Sequence, residues 1–283
     1  MSIIHDFKTE RFIRHFSTNS FACFGVIALL LQTSNVLFPR LTMLQGLPIL
    51  VGVIVLSLIG GLILSWPRPI TQQYNSPNTR ISIVKGDLLD EKTHLVIGTV
   101  DTFDTEPPVI IASGSLQGQA LQRLYGGDLN DLDNDLDKAL AGKNVISTIQ
   151  KAGKQNKYGI GTVATVKHAA RLVFFLAYCE MDMNNNAHST PDRLWASLSM
   201  LWYEISVRGN GGSVSVPVVG GGQARLSSVM PAQDAIRFTL LSFMFASRKN
   251  RICDELRIVV RPEDYNKMDR LELQSFLSSL RSS

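Results

Sequence analysis

Two uncharged apolar runs near the start of the chain limit its fold more than any other feature. Residues 21–38 form the first, 18 residues long, and residues 47–66 the second, 20 residues long. As helices, at about 1.5 Å per residue, they reach roughly 27 Å and 30 Å, the thickness of a bilayer's hydrocarbon core. Pro48 suits a first helical turn, and Trp66 suits a membrane–water boundary. Gln32, Thr33, Ser34 and Asn35 interrupt the first run with groups suited to a neighbouring helix or a lumen. Ser57 and Gly61, four apart, permit close helix contact. A signal-peptide core at 21–31 and a pair of buried helices in a soluble protein are the competing readings. No convincing small-x-small cleavage site follows the first run and a second apolar run does, and two uncharged runs of this length side by side argue against buried helices. Lys8, Arg11 and Arg14 precede the pair, Arg68 and Arg80 follow it, and only Arg40 lies between. The positive-inside rule then predicts a multi-pass segment with both termini in the cytoplasm.

The 283 residues allow one large domain beside this hairpin. A net charge of +4 with no basic–aromatic run argues against a dedicated nucleic-acid binder. Cys23, Cys179 and Cys253 are odd in number and form no CxxC pair, so neither a disulfide framework nor a cysteine zinc site is supported. Asp128, Asp131, Asp133, Asp135 and Asp137 suggest a calcium loop, but the EF-hand glycine at position six and glutamate at position twelve are both missing. Leu129, Leu132, Leu136 and Leu140 stand instead at helical spacing, which predicts an amphipathic helix with a solvated acidic face. HExxH, GxSxG and Cys/His patterns are absent, and neither His168 nor His188 has a carboxylate close by in sequence. No catalytic residue, metal ligand or cofactor is expected.

Downstream, strands and helices alternate. Strands are predicted at 80–85 and 94–100, an extended piece at 109–112, and a helix through Leu116, Ala120, Leu121 and Leu124. Residues 158–167 and 171–178 read as a hairpin, and 184–188 as a loop. Thr190 and Pro191 form an N-cap and first-turn pair for a helix carrying Leu194, Trp195, Leu198, Leu201, Trp202 and Ile205 on one side. A strand at 213–219 then breaks into Gly220, Gly221 and Gly222 before a helix that begins near Ser228, with Ala235, Ile236, Leu240, Phe243 and Met244 inward. A last strand is predicted at 256–260, and a tail helix through Leu271, Phe276 and Leu280. Strand, glycine loop and helix start together turn backbone N–H groups toward a phosphate. The GxGxxG and GxxxxGK[ST] spacings do not occur, so neither a dinucleotide loop nor a Walker loop fits. The alternation predicts a three-layer α/β/α domain with a mixed sheet. The expected divisions are a cytoplasmic segment at 1–20, the transmembrane hairpin at 21–66, a linker at 67–79, the α/β domain at 80–265 and a tail at 266–283.

These pieces resemble the macrodomain family, the ADP-ribose-binding fold, over roughly residues 80–260. The resemblance rests on Val84-Lys85-Gly86-Asp87-Leu88, on 95–101, on Tyr158-Gly159-Ile160-Gly161-Thr162 and on 215–222. It implies that Asp87 binds the adenine amino group and that Gly220, Gly221 and Gly222 wrap the diphosphate, with Leu88, Pro217 and Val219 of the same motifs as further candidate ligand contacts. Gly98 and Asp101 replace the family's usual asparagines, and Asp101 would meet a ribose hydroxyl or an imidazole. Residues 113–119 replace the first phosphate loop. Ser115, Gln117 and Gly118 are its candidate contacts, beside Gln223 and Arg225 of the later loop.

The stretch 115–119 and the two apolar runs bring the chain closer to one subgroup, the membrane-anchored macrodomain effectors of type II Thoeris antiphage systems. That resemblance implies a bacterial inner-membrane protein whose ligand is an ADP-ribose derivative. It further implies that the ligand is a nucleotide second messenger, a histidine-linked ADP-ribose made from NAD by a TIR-domain partner. It also implies ligand-induced homo-oligomers that act on membrane lipids. The alternatives are a membrane-tethered ADP-ribosyl hydrolase and a passive anchor for ADP-ribosylated partners. Loss of the usual asparagines and first phosphate loop counts against hydrolysis.

Overall fold

A computed structural model describes residues 10–37, 46–66, 69–220, 226 and 229–281. The chain forms two compact units, 1–68 and 69–283.

In the first unit, α1 (Glu10–Leu37) and α2 (Leu47–Leu64) are both long and apolar enough to cross a membrane, with mean hydropathies of 1.7 over Phe12–Leu37 and 2.8 over Leu47–Leu64. The first helix begins well before the predicted start at residue 21. The two run antiparallel. Asn19 Nδ2 donates to Ser65 Oγ at 2.9 Å, while a Cβ built on Gly61 would lie 2.9 Å from the Ser20 backbone nitrogen. Val53, Ser57 and Gly61 form the buried row of α2, so small residues set the helix separation.

The second unit opens with β1 (Ile70–Asn75), which corrects the expected linker at 67–79. Ile70, Gln72 and Tyr74 point inward, and β1 pairs antiparallel with β2 (Asn78–Lys85). Then come β3 (His94–Val100), α3 (Leu116–Leu124), α4 (Leu129–Leu140), and the short pair β4 (Ser147–Thr148) and β5 (Asn156–Lys157). The hairpin β6 (Val163–His168) and β7 (Arg171–Met181) follows, with β8 (Ala187–His188) folding back on β7. Residues 109–112, expected to be extended, form a turn instead, in which the N–H groups of Ile110 and Ile111 both donate to Glu106 O. The chain closes with α5 (Pro191–Arg208), β9 (Val214–Pro217), α6 (Ala232–Ser247), β10 (Glu255–Val260), α7 (Pro262–Tyr265) and α8 (Arg270–Ser279).

The sheet order is β1-β2-β10-β9-β3-β7-β6. The five strands from β2 to β7 are parallel, and antiparallel β1 and β6 close the two edges. Leu194, Leu198, Ile236, Leu240, Leu273 and Leu277 of α5, α6 and α8 cover one face. Leu121, Leu132 and Leu136 of α3 and α4 cover the other, which completes the three layers. The tail therefore belongs to the domain, but through Leu273 and Leu277 rather than the predicted Leu271, which is 39% exposed. Tyr74 OH donates to Leu277 O at 2.6 Å and ties α8 to β1.

Candidate ligand-binding site

Ligands of open α/β sheets gather at the carboxyl ends of the strands. Here the ends of β2, β10, β9, β3 and β7 all contribute to one cavity of about 640 Å³. With strands about 4.8 Å apart, the four steps from β2 to β7 span roughly 19 Å.

At the β2 end, Asp87 lines the cavity. Its Oδ1 accepts from Leu89 N at 2.9 Å, and its Oδ2 meets Arg123 Nη1 at 2.7 Å. Arg123 also pairs with Asp90, and these carboxylates hold its pKa above the ordinary value. A carboxylate offers about four acceptor sites, so Asp87 retains capacity for a ligand amine. Leu88 lines the cavity beside it.

In the middle, Pro217, Val219 and Gly220 line the cavity beyond β9. Gly220 has φ 97°, and a Cβ there would lie 3.1 Å from Leu226 Cβ, so both backbone and packing favour glycine. Gly221, Gly222, Gln223 and Arg225 lie outside the described residues. Two helix starts also reach the cavity, through Ser115 and Leu116 of α3 and Ala232 of α6. Ser115 caps α3 by accepting from Gly118 N at 3.1 Å, whereas no side chain caps α6 at Pro231. Free first-turn N–H groups give such helix ends a partial positive charge suited to a phosphate.

Three expected contacts are used structurally. Asp101 is not part of the lining. It is 2% exposed, accepts from Met181 N at 2.9 Å, and lies 3.2 Å from Lys157 Nζ. Burial raises its pKa, against the pull of Met181 N–H and Lys157. Gly118 is also absent from the lining. A Cβ there would lie 2.7 Å from the carbonyl oxygens of Ala112 and Ser113, so this glycine lets the preceding turn pack on α3. Gln117 does line the cavity, but its amide is engaged with Thr99 Oγ1 at 3.2 Å and Asp104 O at 2.5 Å.

Other lining residues had no sequence signal. Tyr178 sits at a register shift, where β3 pairs Thr99 with Ala177 and then Val100 with Cys179. The extra residue is a bulge, a device that re-aims a side chain. Burial pushes the Tyr178 phenol well above its ordinary pKa. Cys179 also lines the cavity, and burial pushes its thiol up to about 12, far from a reactive thiolate. No histidine lines the cavity among the described residues. His188 faces Asp182 instead, at 3.3 Å. Among the described residues no cluster of His, Cys, Asp or Glu is arranged to hold a metal.

A mixed sheet between two helical layers, with a cleft crossing its strand ends, is the architecture of a macrodomain. Residues 81–261 match the family described as Thoeris protein ThsA, Macro domain, and the chain belongs to that family. Among solved structures, it is similar to the Oceanobacillus iheyensis macrodomain with ADP, at 15% identity and TM-score 0.49, covering 75% of this chain and 99% of that one. A variant of that macrodomain with ADPR gives 16% identity and TM-score 0.43, covering 74% and 99%. No curated protein matches the chain.

Proposed function

We propose that the domain is a receptor for an ADP-ribose-derived nucleotide, and that the N-terminal hairpin is the membrane effector it controls. The observation that carries this reading is the cavity running from Asp87 past Gly220 to the end of β7. Its order suits a base at β2, a diphosphate at β9 between two helix starts, and the distal ribose toward β3 and β7. Asp87, Leu88, Ser115, Pro217, Val219 and Gly220 are the contacts we assign to it.

The protein acts without turnover, as a sensor. The protonated Cys179 and the inward-facing Asp101 support this reading, since neither supplies a nucleophile or base to the cavity. The hairpin lies in a bacterial inner membrane with both termini cytoplasmic. A TIR-domain partner makes the histidine-linked signal, and ligand binding drives assembly of several copies that disrupts the membrane in antiphage defence. A ligand shifts such an equilibrium only by its different affinity for the two states.

Calorimetric titration of the full chain in detergent with ADP and ADP-ribose derivatives tests the receptor. Binding that is lost in Asp87→Ala supports it, and absence of binding removes it. Release of dye from liposomes holding the protein tests the effector. Turnover of ADP-ribose esters above background would replace the sensor with a hydrolase.

A further inference from the structure

β6 is the outermost strand of the sheet and pairs on one side only, with β7. Helices α4 and α5, on opposite faces of the sheet, both reach its free edge. Between them runs a groove of about 550 Å³ that shares no lining residue with the nucleotide cavity. The ladder decides which backbone groups of β6 face this groove. Ala177 N–H donates to Thr162 O at 2.9 Å, and bonded pairs alternate along an antiparallel ladder. Ala164 and Val166 therefore bond to β7, while Thr165 and Lys167 turn their N–H and C=O groups outward. Leu172, opposite Lys167, agrees, because its N–H donates away from β6, to His94 Nδ1 at 3.0 Å. Thr165 and Lys167 both line the groove, and their spacing of two residues is the repeat that an added strand needs.

The groove also carries an excess of positive charge. Lys138, Lys143, Lys167 and Arg208 line it beside Asp135 and Glu204. Both carboxylates are already engaged. Glu204 is 9% exposed, and its Oε1 meets Thr165 Oγ1 at 3.3 Å, Lys143 Nζ at 3.7 Å and Arg208 Nε at 2.5 Å. Asp135 accepts from Tyr125 OH at 3.2 Å and lies 4.0 Å from Lys138 Nζ, whose side chain is 79% exposed. Lys167 is exposed and meets no carboxylate among the described residues. A lone lysine on an edge strand guards it against unwanted pairing. Here two helices wall the edge, and a buried glutamate fixes Lys143 and Arg208 beside it, which a guard does not require.

We propose that the β6 edge docks an acidic, extended segment of a partner protein, which adds a strand to the sheet. The backbone of that segment exchanges hydrogen bonds with Thr165 and Lys167, the source of affinity in strand addition. Successive side chains of an extended segment point to opposite faces, so acidic residues reach both walls. Thr165 reaches Glu204 of α5, and Lys167, two residues on, lies on that same side. Lys138 of α4 stands on the other. Carboxylates on the two faces of the segment meet these two cations. This site stands apart from the nucleotide cavity and does not depend on what fills it.

Fluorescence anisotropy on the full chain in detergent tests it with dye-labelled, end-blocked hexapeptides. The probes are TEEVET, its lysine counterpart TKKVKT, and TEEVET with every backbone nitrogen methylated. The expected result is saturable binding of unmethylated TEEVET alone. Combining Lys138→Glu with Lys167→Glu, both exposed positions, should weaken that binding roughly threefold to tenfold, as loss of two surface ion pairs predicts, with an unchanged Tm. Absence of TEEVET binding up to about 1 mM, a level at which even a weak complex forms, overturns the proposal. Equal binding of the methylated peptide also overturns it, since charge attraction then acts without strand addition. Oligothymidylate that binds more tightly than TEEVET, with the same dependence on Lys138 and Lys167, assigns the groove to nucleic acid and overturns it too.

Discussion

The ring of Tyr178 occupies the space that any side chain at position 98 would need. A Cβ built on Gly98 would overlap Tyr178 Cε1 and lie 3.0 Å from Cδ1. Glycine on β3 and the bulged tyrosine on β7 are therefore one structural unit, and together they form part of the cavity wall.

Gly98→Ala is expected to force this ring out of place. Overpacking of this kind costs about 1–3 kcal/mol. For a domain of this size that corresponds to a fall in Tm of roughly 2–12 °C. Nucleotide affinity should fall with it, because the ring is part of the cavity wall. Scanning fluorimetry and calorimetry on the same preparation check both, and an unchanged Tm would refute the coupling.

Asp101→Asn and Lys157→Ala separate a structural carboxylate from a ligand contact. The asparagine keeps an acceptor for Met181 N–H, so nucleotide affinity should stay within about twofold of wild type. Lys157→Ala leaves a buried carboxylate without its cation, for which losses of about 3 kcal/mol or more are typical. A large loss of affinity in Asp101→Asn with normal stability would return Asp101 to the site.

These two residues also mark what a sequence can reveal. β3 was legible as a run of apolar residues, and α5 begins where Thr190 and Pro191 mark a start. A strand end does not disclose which way its aspartate turns. That depends on the bulge at Tyr178 and on Lys157 of β5, far along the chain. β1 was hidden because Gln72, Gln73 and Asn75 dilute the alternation of Ile70 and Tyr74, whose burial depends on β2 and α8.

The thiols give a pH prediction. Burial raises Cys179 and Cys253 to about 12 in the folded chain, against about 8.5 in an unfolded one. The folded state therefore keeps its protons longer, and this stability is full below about pH 8.5 and lost as pH rises toward 12. At about pH 8 neither thiol should react with Ellman's reagent in the native protein, and both should react in guanidinium. Rapid native labelling of Cys179 would contradict the closed wall.

Gly61 offers a separation of sensing from membrane action. A Cβ there would overlap Ser20 Oγ and lie 2.9 Å from the Ser20 backbone nitrogen, so even alanine must push α1 and α2 apart. The clash involves backbone and cannot be relieved by a rotamer change alone. Close approach through small residues is what holds apolar helices together in lipid, where the hydrophobic effect supplies no drive between them. Gly61→Val should abolish ligand-dependent dye release from liposomes while leaving nucleotide affinity within about twofold, since the cavity lies wholly in the second unit. Retained leakage in that variant would show that helix contact at Gly61 has no part in the membrane response.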